Sequence, residues 1–270
     1  MTNTIRPRIS PEEDRFLKER RRFLSSRDEE VTLVLGCVHV PFQNRTLMDG
    51  VKKLAVDLRI DRLVFLGDFI DCNSLGDYEK GKLSSTGITL EEEYEDANKE
   101  LNDWDSILKR NSTVVFMYGN HEDRYFRWLK SPDNAKYGDL LSPAKALRLE
   151  ERNYIVITDY RNGVYHIGNL ELYHGDLTNI HVAKKSLDTY RRNTMFAHTH
   201  RIQVYREGDY ASYNIGTMAN LNAPAFGYAP RSMREKWANG FGVVINYDGN
   251  TYTQVIEVKG DHFYYGGFRY

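Results

Sequence analysis

The sequence has only two cysteines, and no apolar run in it is long enough to cross a membrane. Cys37 and Cys72 are not spaced as in a metal finger or a redox motif, and they imply no disulfide framework. The first eight residues lack the apolar centre of a signal peptide. These absences predict a cytoplasmic protein with no membrane partner.

The sequence also lacks an excess of charge of either sign. Lys and Arg total 37, Asp and Glu total 38, and the formal net charge is −1. Nucleic acid or an anionic membrane is therefore not attracted by the chain as a whole, and either would need a local basic patch. With 270 residues, 41% of them hydrophobic, the chain is long enough to bury the core of one large domain.

Strands and helices alternate in the first half of the sequence. Short apolar runs predict three buried strands, over residues 31–36, 62–66 and 113–117. Apolar residues at helical spacing predict two helices between them, over residues 46–58 and 89–110. This alternation is typical of parallel strands joined by helical crossovers.

The second half is richer in short strands. Beyond residue 153, β-branched and aromatic residues alternate with Gly, Asn and Asp turns. The predicted strands cover residues 154–158, 164–167, 170–174, 194–197, 202–206, 211–215, 240–246 and 252–258. Further helices are predicted over 122–130, 143–151 and 180–192.

No repeat, low-complexity tract or clear linker divides the chain, so we expect a single domain over residues 1–270. Residues 1–30 are expected to form an N-terminal extension. Within it, the pattern of residues 10–24 predicts an amphipathic helix that lies on the domain, and an arm that binds a partner or nucleic acid is the alternative. A motif-bearing core is expected over 31–200 and a strand-rich part over 201–270. The aromatic residues 263–270 are expected either to pack on the domain or to fray.

Five short motifs follow predicted strands, and they contain five of the eight histidines. They are Gly36-Cys37-Val38-His39, Gly67-Asp68-Phe69-Ile70-Asp71, Gly119-Asn120-His121-Glu122, Tyr173-His174-Gly175-Asp176 and Ala197-His198-Thr199-His200. Ligands gather at the carboxyl ends of strands in open α/β sheets. Imidazole, carboxylate and amide oxygen together suit Mn, Fe, Zn or Co.

Each motif has an ordinary explanation when it is taken alone. His39, His121 or His174 could be a structural histidine, and Asp68 could be a turn residue. His198 and His200 could be an alternating pair on a strand. The 19 tyrosines could stack on bases or sugars, although core and edge-strand packing is their more usual use. Five such motifs in one chain favour a metal site assembled by the fold.

The order of the motifs is similar to that of the calcineurin-like metallophosphoesterases. That family has the order D-x-H, G-D-x-x-D, G-N-H-E, H and G-H-x-H, and the resemblance covers about residues 31–200. Residues 119–124 and 40–42 resemble the small single-domain members often found in phages and prophages. The resemblance implies an α/β fold with four layers, in which two mixed β-sheets pack face to face and are flanked by helices.

The resemblance also implies two divalent metal ions, of which Mn, Zn or Fe are the candidates. The implied ligands are Cys37, His39, Asp68, Asn120, His174, His198 and His200. Cys37, His39 and His200 would bind the first ion, and Asn120, His174 and His198 would complete the second. Asp68 would bridge the two ions.

The remaining site residues are also implied by the resemblance. His121 would lie beside the substrate as a general acid, or as a cation that stabilises the phosphoryl oxygens. Asp71 and Glu122 would orient the histidines and the loops around them. Asn120 and Arg124 are candidates for binding the substrate.

The chain departs from the family pattern at two positions. Ala197 replaces a glycine, which matters little if its φ is negative. Cys37 replaces the first aspartate. A Cys37 thiolate could bind the first ion and would favour Zn or Fe(II) over Mn or Mg. Alternatively, Cys37 stays protonated and the first site is weak or empty.

The expected function is hydrolysis of a phosphodiester, a nucleotide or nucleic acid, by attack of a metal-bridging hydroxide. A phosphomonoesterase or protein phosphatase is one alternative. A second is a binding or scaffold protein of the same fold with weakened chemistry, which the replacement at Cys37 would explain. A third is an enzyme switched off when Cys37 oxidises. The oligomeric state is left open.

Overall fold

The computed structural model describes Ser10, Arg15, Glu19 and residues 28–76 and 87–270. Most of the helix predicted over 10–24 therefore lies outside the described residues. No helix of the described residues is both long and apolar enough to span a membrane.

The strands and helices of the described residues are numbered in chain order. The strands are β1 (Glu30–Leu35), β2 (Arg62–Leu66), β3 (Thr113–Met117), β4 (Ile155–Ile157), β5 (Tyr165–Ile167), β6 (Leu170–Leu172), β7 (Asn193–Phe196), β8 (Ile202–Glu207), β9 (Tyr210–Ile215), β10 (Gly240–Tyr247), β11 (Asn250–Glu257), β12 (Tyr264–Tyr265) and β13 (Phe268–Arg269). The helices are α1 (Arg45–Leu58), α2 (Leu90–Ile107), α3 (Asp123–Trp128), α4 (Pro143–Ala146), α5 (Val182–Tyr190) and α6 (Arg231–Arg234).

Two mixed sheets form the centre of the molecule. The first has the strand order β11-β10-β1-β2-β3-β4, and the second has the order β5-β6-β7-β9-β8. Strands β1 to β4 are parallel, whereas β10 and β11 are antiparallel additions beside β1. In the second sheet, β6, β7 and β9 are parallel and the two edge strands are antiparallel.

The parallel strands β1, β2 and β3 of the first sheet are buried on both faces. Along β2, Val64 and Leu66 belong to a cluster that also contains Leu172 and Met195 of the second sheet. Their neighbours Leu63 and Phe65 belong to a cluster that includes apolar residues of α1 and α2. Side chains of a strand point alternately to opposite faces, so one strand contributes to two cores.

A third cluster, of Tyr173, Val182 and Phe196, packs α5 against the second sheet. The layers are therefore helices, sheet, sheet and helix, which confirms the predicted fold class. The C-terminal aromatic residues pack on the domain. They form the β12–β13 hairpin, and Phe263 packs against Phe241 and Tyr270.

The largest differences from the prediction are one shorter helix and one helix that was not predicted. The helix predicted over 143–151 is shorter, because α4 ends at Ala146 and Arg148 has a left-handed φ of 53°. The second half also contains α6, which was not predicted. Ala197 has a φ outside the left-handed region, so an alanine is accommodated there. Gly36 lies opposite it, and a Cβ on Gly36 would collide with the Ala197 side chain.

Candidate metal centre

All five motifs lie at the carboxyl ends of parallel strands. Three of them follow β1, β2 and β3, which are neighbours in the first sheet, and the other two follow β6 and β7, which are neighbours in the second. Because the two sheets pack face to face, these loops meet at one end of the sandwich. The structure thus brings together every residue that the sequence analysis assigned to the site.

The loop backbone turns sharply at most of the candidate ligands. Five of them adopt left-handed φ values between 52° and 60°, namely Cys37, His39, Asp68, His198 and His200. Non-glycine residues avoid this region, and where they adopt it they are concentrated at functional sites. The turns allow consecutive residues of a loop to direct their side chains to the same point.

The first cluster contains Cys37, His39, Asp68 and His200, whose potential ligand atoms all lie within 4.8 Å of one another. His39 Nδ1 is 2.8 Å from Asp71 Oδ2 and donates its hydrogen bond there. The lone pair of His39 Nε2 therefore points at His200 Nε2, 3.0 Å away. Burial lowers the pKa of both imidazoles, and each also lies near another histidine. Two neutral rings that face each other in this way can share a hydrogen bond or bind a cation between them.

The second cluster contains Asp68, His174 and His198. His174 Nδ1 donates to the Leu66 carbonyl at 2.8 Å, so His174 Nε2 faces the cluster. That nitrogen is 3.3 Å from Asp68 Oδ2 and 3.1 Å from Asn120 Oδ1. Asn120 therefore belongs to this cluster through its amide oxygen. Burial would lower the pKa of His174, but the Asp68 carboxylate raises it.

Asp68 is common to both clusters. Burial would raise its pKa, but the charges of His174 and His121 hold it well below the ordinary value. The buried Nδ1 atoms of His198 and His200 have no hydrogen-bond partner among the described residues. A carboxylate between two groups of imidazole nitrogens, with orphaned buried donor atoms beside it, fits divalent metal ions.

Cys37 is the unusual member of the first cluster. Its Sγ accepts a hydrogen bond from the His198 backbone N–H at 3.2 Å and lies 4.0 Å from Asp68 Oδ2. Complete burial, together with the charge of Asp68, raises the pKa of the Cys37 thiol well above its usual range. A metal ion that binds Cys37 would have to displace the thiol proton.

Glu122 holds two of the loops together. Its carboxylate accepts backbone N–H bonds from Asp68, Phe69 and Ile70 at 3.0, 2.7 and 3.1 Å. It also accepts one from Gly119 at 2.8 Å. Burial and the charge of Asp68 raise the pKa of Glu122 to about 7, while N–H donors such as that of Gly119 oppose the increase. The loops after β2 and β3 are thus fixed relative to each other.

His121 and Arg124 lie in contact beside the clusters. The His121 backbone N–H donates to Asp68 Oδ1 at 2.9 Å, and its Nδ1 donates to the Asp71 carbonyl at 2.6 Å. Arg124 Nη2 donates to His121 Nε2 at 3.1 Å, and Arg124 Nη1 donates to the Asp71 carbonyl at 2.9 Å. The Arg124 side chain is only 13% exposed, so it lies within the site and not in solvent.

A cleft of about 180 Å³ opens over the clusters. It is lined by Asp68, Asn120, His121, Thr178, His198, Thr199, His200, Arg201, Tyr228, Met233 and Trp237. The sequence analysis missed Thr178, and it also missed the last three residues, Tyr228, Met233 and Trp237, which lie between β9 and β10. The signal that could have found them is length, because residues 216–239 separate two predicted strands without a strand or helix pattern. Loops of that length in a compact domain are usually functional.

The calcineurin-like phosphoesterase family matches residues 31–223 of the chain. No curated protein matches it. Vacuolar Protein Sorting 29 from Cryptosporidium parvum is a similar solved structure, with 15% identity, 86% of this chain and 99% of that chain covered, and a TM-score of 0.43. Another is the phosphoesterase Yfce from E. coli, with 14% identity, 80% of this chain and 90% of that chain covered, and a TM-score of 0.39. A third is the nuclease MPE from Pseudomonas putida, with 13% identity, 83% of this chain and 87% of that chain covered, and a TM-score of 0.36.

Proposed function

The chain belongs to the calcineurin-like phosphoesterase family, and on that basis we propose that it is a metal-dependent phosphodiesterase. The observation that carries the proposal is the pair His39 Nε2 and His200 Nε2, which face each other at 3.0 Å. His39 Nδ1 is already bonded to Asp71, so His39 Nε2 offers a lone pair that either a proton on His200 Nε2 or a cation between the rings can use. A carboxylate and a thiol in the same cluster favour a divalent metal ion over a shared proton.

We assign two ions to the two clusters. Cys37, His39 and His200 would hold the first ion, and Asn120, His174 and His198 would hold the second. Asp68 would contact both, because its carboxylate lies 3.3 Å from His174 Nε2 and 4.0 Å from His39 Nε2. A thiolate ligand would favour Zn or Fe(II) at the first position, and Mn is the candidate where oxygen and nitrogen ligands dominate.

Bound divalent ions would supply charge neutralisation at the phosphoryl oxygens and an activated water. Asn120 lies at the cleft and would also orient the phosphoryl group. His121 would protonate the leaving oxygen, but its Nε2 accepts a hydrogen bond from Arg124. Arg124 would therefore turn from His121 to a phosphoryl oxygen. His121 Nε2 would then be free to take a proton from solvent and pass it to the leaving oxygen.

The walls of the cleft favour a diester over a monoester. Tyr228, Met233 and Trp237 provide an apolar surface beside the metal ligands, which a second ester group can cover. A monoester carries one more negative charge and no such group.

A binding or scaffold protein is the second candidate, and one observation favours it. Cys37 is fully buried, and its raised pKa keeps it a thiol at neutral pH unless a metal displaces the proton. If that proton is retained, the first ion binds weakly and hydrolysis is slow.

The test is hydrolysis of bis(p-nitrophenyl) phosphate by the purified protein with added Mn, Zn or Fe(II), or with chelator. p-Nitrophenyl phosphate tests the monoester alternative in parallel. His121→Ala should reduce the hydrolysis of a dinucleotide, whose leaving alkoxide needs a proton, at least about a hundredfold. The rate with bis(p-nitrophenyl) phosphate should fall less, because p-nitrophenolate leaves without a proton donor. His166→Ala is the matched control, because His166 is exposed on β5.

Loss of dinucleotide hydrolysis with chelator and in His121→Ala, but not in His166→Ala, is the expected result. An inactive natural protein together with an active Cys37→Asp variant would favour the binding protein instead. Metal analysis of both proteins would then show fewer ions in the natural one. A higher kcat/KM for the monoester would contradict the diester preference.

A further inference from the structure

Residues 219–239, which we call the capping segment, connect β9 to β10 and form one wall of the cleft. The segment is attached at both ends. The Asn220 backbone N–H donates to the Phe42 carbonyl at 2.7 Å, and the Ala238 N–H donates to the His200 carbonyl at 2.8 Å. Asn239 Nδ2 also donates to the carbonyls of Thr217 and Ala219. The capping segment is therefore held directly against the loop that carries His200.

Aromatic side chains of the capping segment pack on the candidate ligands. The ring of Phe226 lies edge-on to His39, with the centroids 5.2 Å apart. The ring of Trp237 lies edge-on to His200 at 4.6 Å. Phe226 and Trp237 also contact each other at 5.6 Å. These contacts fix the position of the capping segment relative to the metal centre.

Tyr228 and Met233 differ from this packed layer because they are exposed at the mouth of the cleft. Tyr228 is 49% exposed and Met233 is 40% exposed, and both line the cleft. Burial of its hydroxyl, with the charge of Asp71, raises the pKa of Tyr228 to about 12. Tyr228 is therefore a half-exposed aromatic side chain in the lining of the cleft that also contains Asp68, His198 and His200.

The size and charge of this region suit one planar ring attached to a phosphoryl group. The cleft volume of about 180 Å³ is smaller than the roughly 300–1,000 Å³ of pockets that enclose a whole drug-sized ligand. The capping segment also carries three exposed cations and one carboxylate, Arg231, Arg234, Lys236 and Glu235. Further phosphates of a nucleotide chain would meet this locally basic surface, although the whole protein has a net charge of −1.

We propose that Tyr228 determines specificity by stacking on the base of a nucleoside phosphate ester whose phosphoryl group lies over the metal centre. This inference rests on the proposed function, and it extends that function to a substrate class and a residue. Base stacking on an aromatic ring tolerates every base, because each base has a π-face. The site should thus prefer nucleoside esters without strong preference among bases.

The test is equilibrium binding of thymidine monophosphate and of ethyl phosphate to the protein loaded with Mn or Zn, measured by calorimetry. In Tyr228→Leu, affinity for thymidine monophosphate should fall about tenfold relative to affinity for ethyl phosphate, as expected for loss of one stacked base. Tyr228→Phe should keep the preference, because it retains the ring. Tyr252→Leu is the matched control, since Tyr252 is 60% exposed on β11 and lies outside the cleft.

An unchanged ratio of the two affinities in Tyr228→Leu would overturn the inference. A phosphotyrosine peptide that binds more tightly than thymidine monophosphate and depends on Tyr228 would also overturn it. Hydrolysis of bis(p-nitrophenyl) phosphate, measured on the same samples, separates the two proposals. If Tyr228 selects the nucleoside but no hydrolysis occurs, the inference stands and the proposed catalytic function fails.

Discussion

Asp71→Asn tests how the residues around the metal ligands position them. Asp71 Oδ2 accepts the His39 Nδ1 hydrogen bond at 2.8 Å, and the Asp71 side chain is 3% exposed. Burial would raise the pKa of Asp71, but the charge of His121, whose Nδ1 lies 3.6 Å from Asp71 Oδ2, and the hydrogen bond from His39 hold that pKa well below 3.8. The substitution keeps the shape of the side chain and removes its charge.

Two magnitudes follow from this geometry. A hydrogen bond to a charged group contributes about 1.5–3 kcal/mol, so the unfolding free energy of the metal-free protein should fall by about that amount at neutral pH. Loss of the partner that orients a metal-binding histidine typically lowers metal affinity about 10–100-fold. His39 is the affected ligand, so the loss should appear in the first cluster.

The pH dependence of the stability difference has a definite sign. The folded-state pKa of Asp71 is depressed, so its carboxylate stabilises the fold above the unfolded value of 3.8. That contribution disappears as the pH falls through the lower folded pKa. The difference in unfolding free energy between the natural protein and Asp71→Asn should therefore be largest at about pH 6–8 and narrow below about pH 4.

Urea unfolding of the metal-free proteins and calorimetric titration with Zn or Mn measure these two effects. Asp133→Asn is the control, because Asp133 is exposed on a surface turn. Metal affinity in Asp71→Asn within twofold of the natural value would refute the role given to Asp71. A stability difference that grows as the pH falls would refute the electrostatic argument.

Two further substitutions test the loops of the site. Glu122→Leu leaves four backbone N–H groups without an acceptor. It should lower the unfolding free energy by at least about 2 kcal/mol, even though it also removes the cost of burying the Glu122 charge. Urea unfolding measures this against the control Glu150→Leu, at an exposed position, and equal stabilities of the two variants would contradict it. Gly119→Ala places a Cβ about 2.5 Å from the Asp68 backbone nitrogen and should abolish tight metal binding. Gly208→Ala is the control, because a Cβ at Gly208 meets open space and its left-handed φ should lower the unfolding free energy by only about 1 kcal/mol. Similar metal affinities of the Gly119→Ala and Gly208→Ala variants would be evidence against the steric argument.

The strands were the most predictable part of the fold. The strands predicted over 62–66 and 113–117 match β2 and β3 to the residue, because each has four consecutive apolar residues after one polar residue and ends before a glycine-bearing turn. The alternation of these strands with helices also predicted their parallel pairing. Side chains at the ends of neighbouring parallel strands had to lie together, which is why the motifs pointed to one site.

Features that depend on distant contacts could not be read in the same way. Tyr228 and Trp237 lie in a stretch with no helical or strand period, and contacts distant in sequence, such as that of Trp237 with His200, place that stretch over the cleft. The hydrogen bond from Arg124 to His121 is another such feature, because it depends on how α3 leaves the loop. The roles of the individual ligand residues stay predictions until metal binding is measured.

The pairing of β10 with β1 has a consequence for how the chain acquires its structure. Leu33 lies opposite Val243, so two strands at the middle of the first sheet are separated by 243 − 33 = 210 positions along the chain. During synthesis, β1 emerges early but keeps one open, apolar edge until the residues of β10 leave the ribosome. Such edges recruit other strands, so the nascent chain depends on chaperones or on rapid completion. A protein shortened to residue 223, where the family match ends, would keep the edge open permanently and should aggregate although every metal ligand is present.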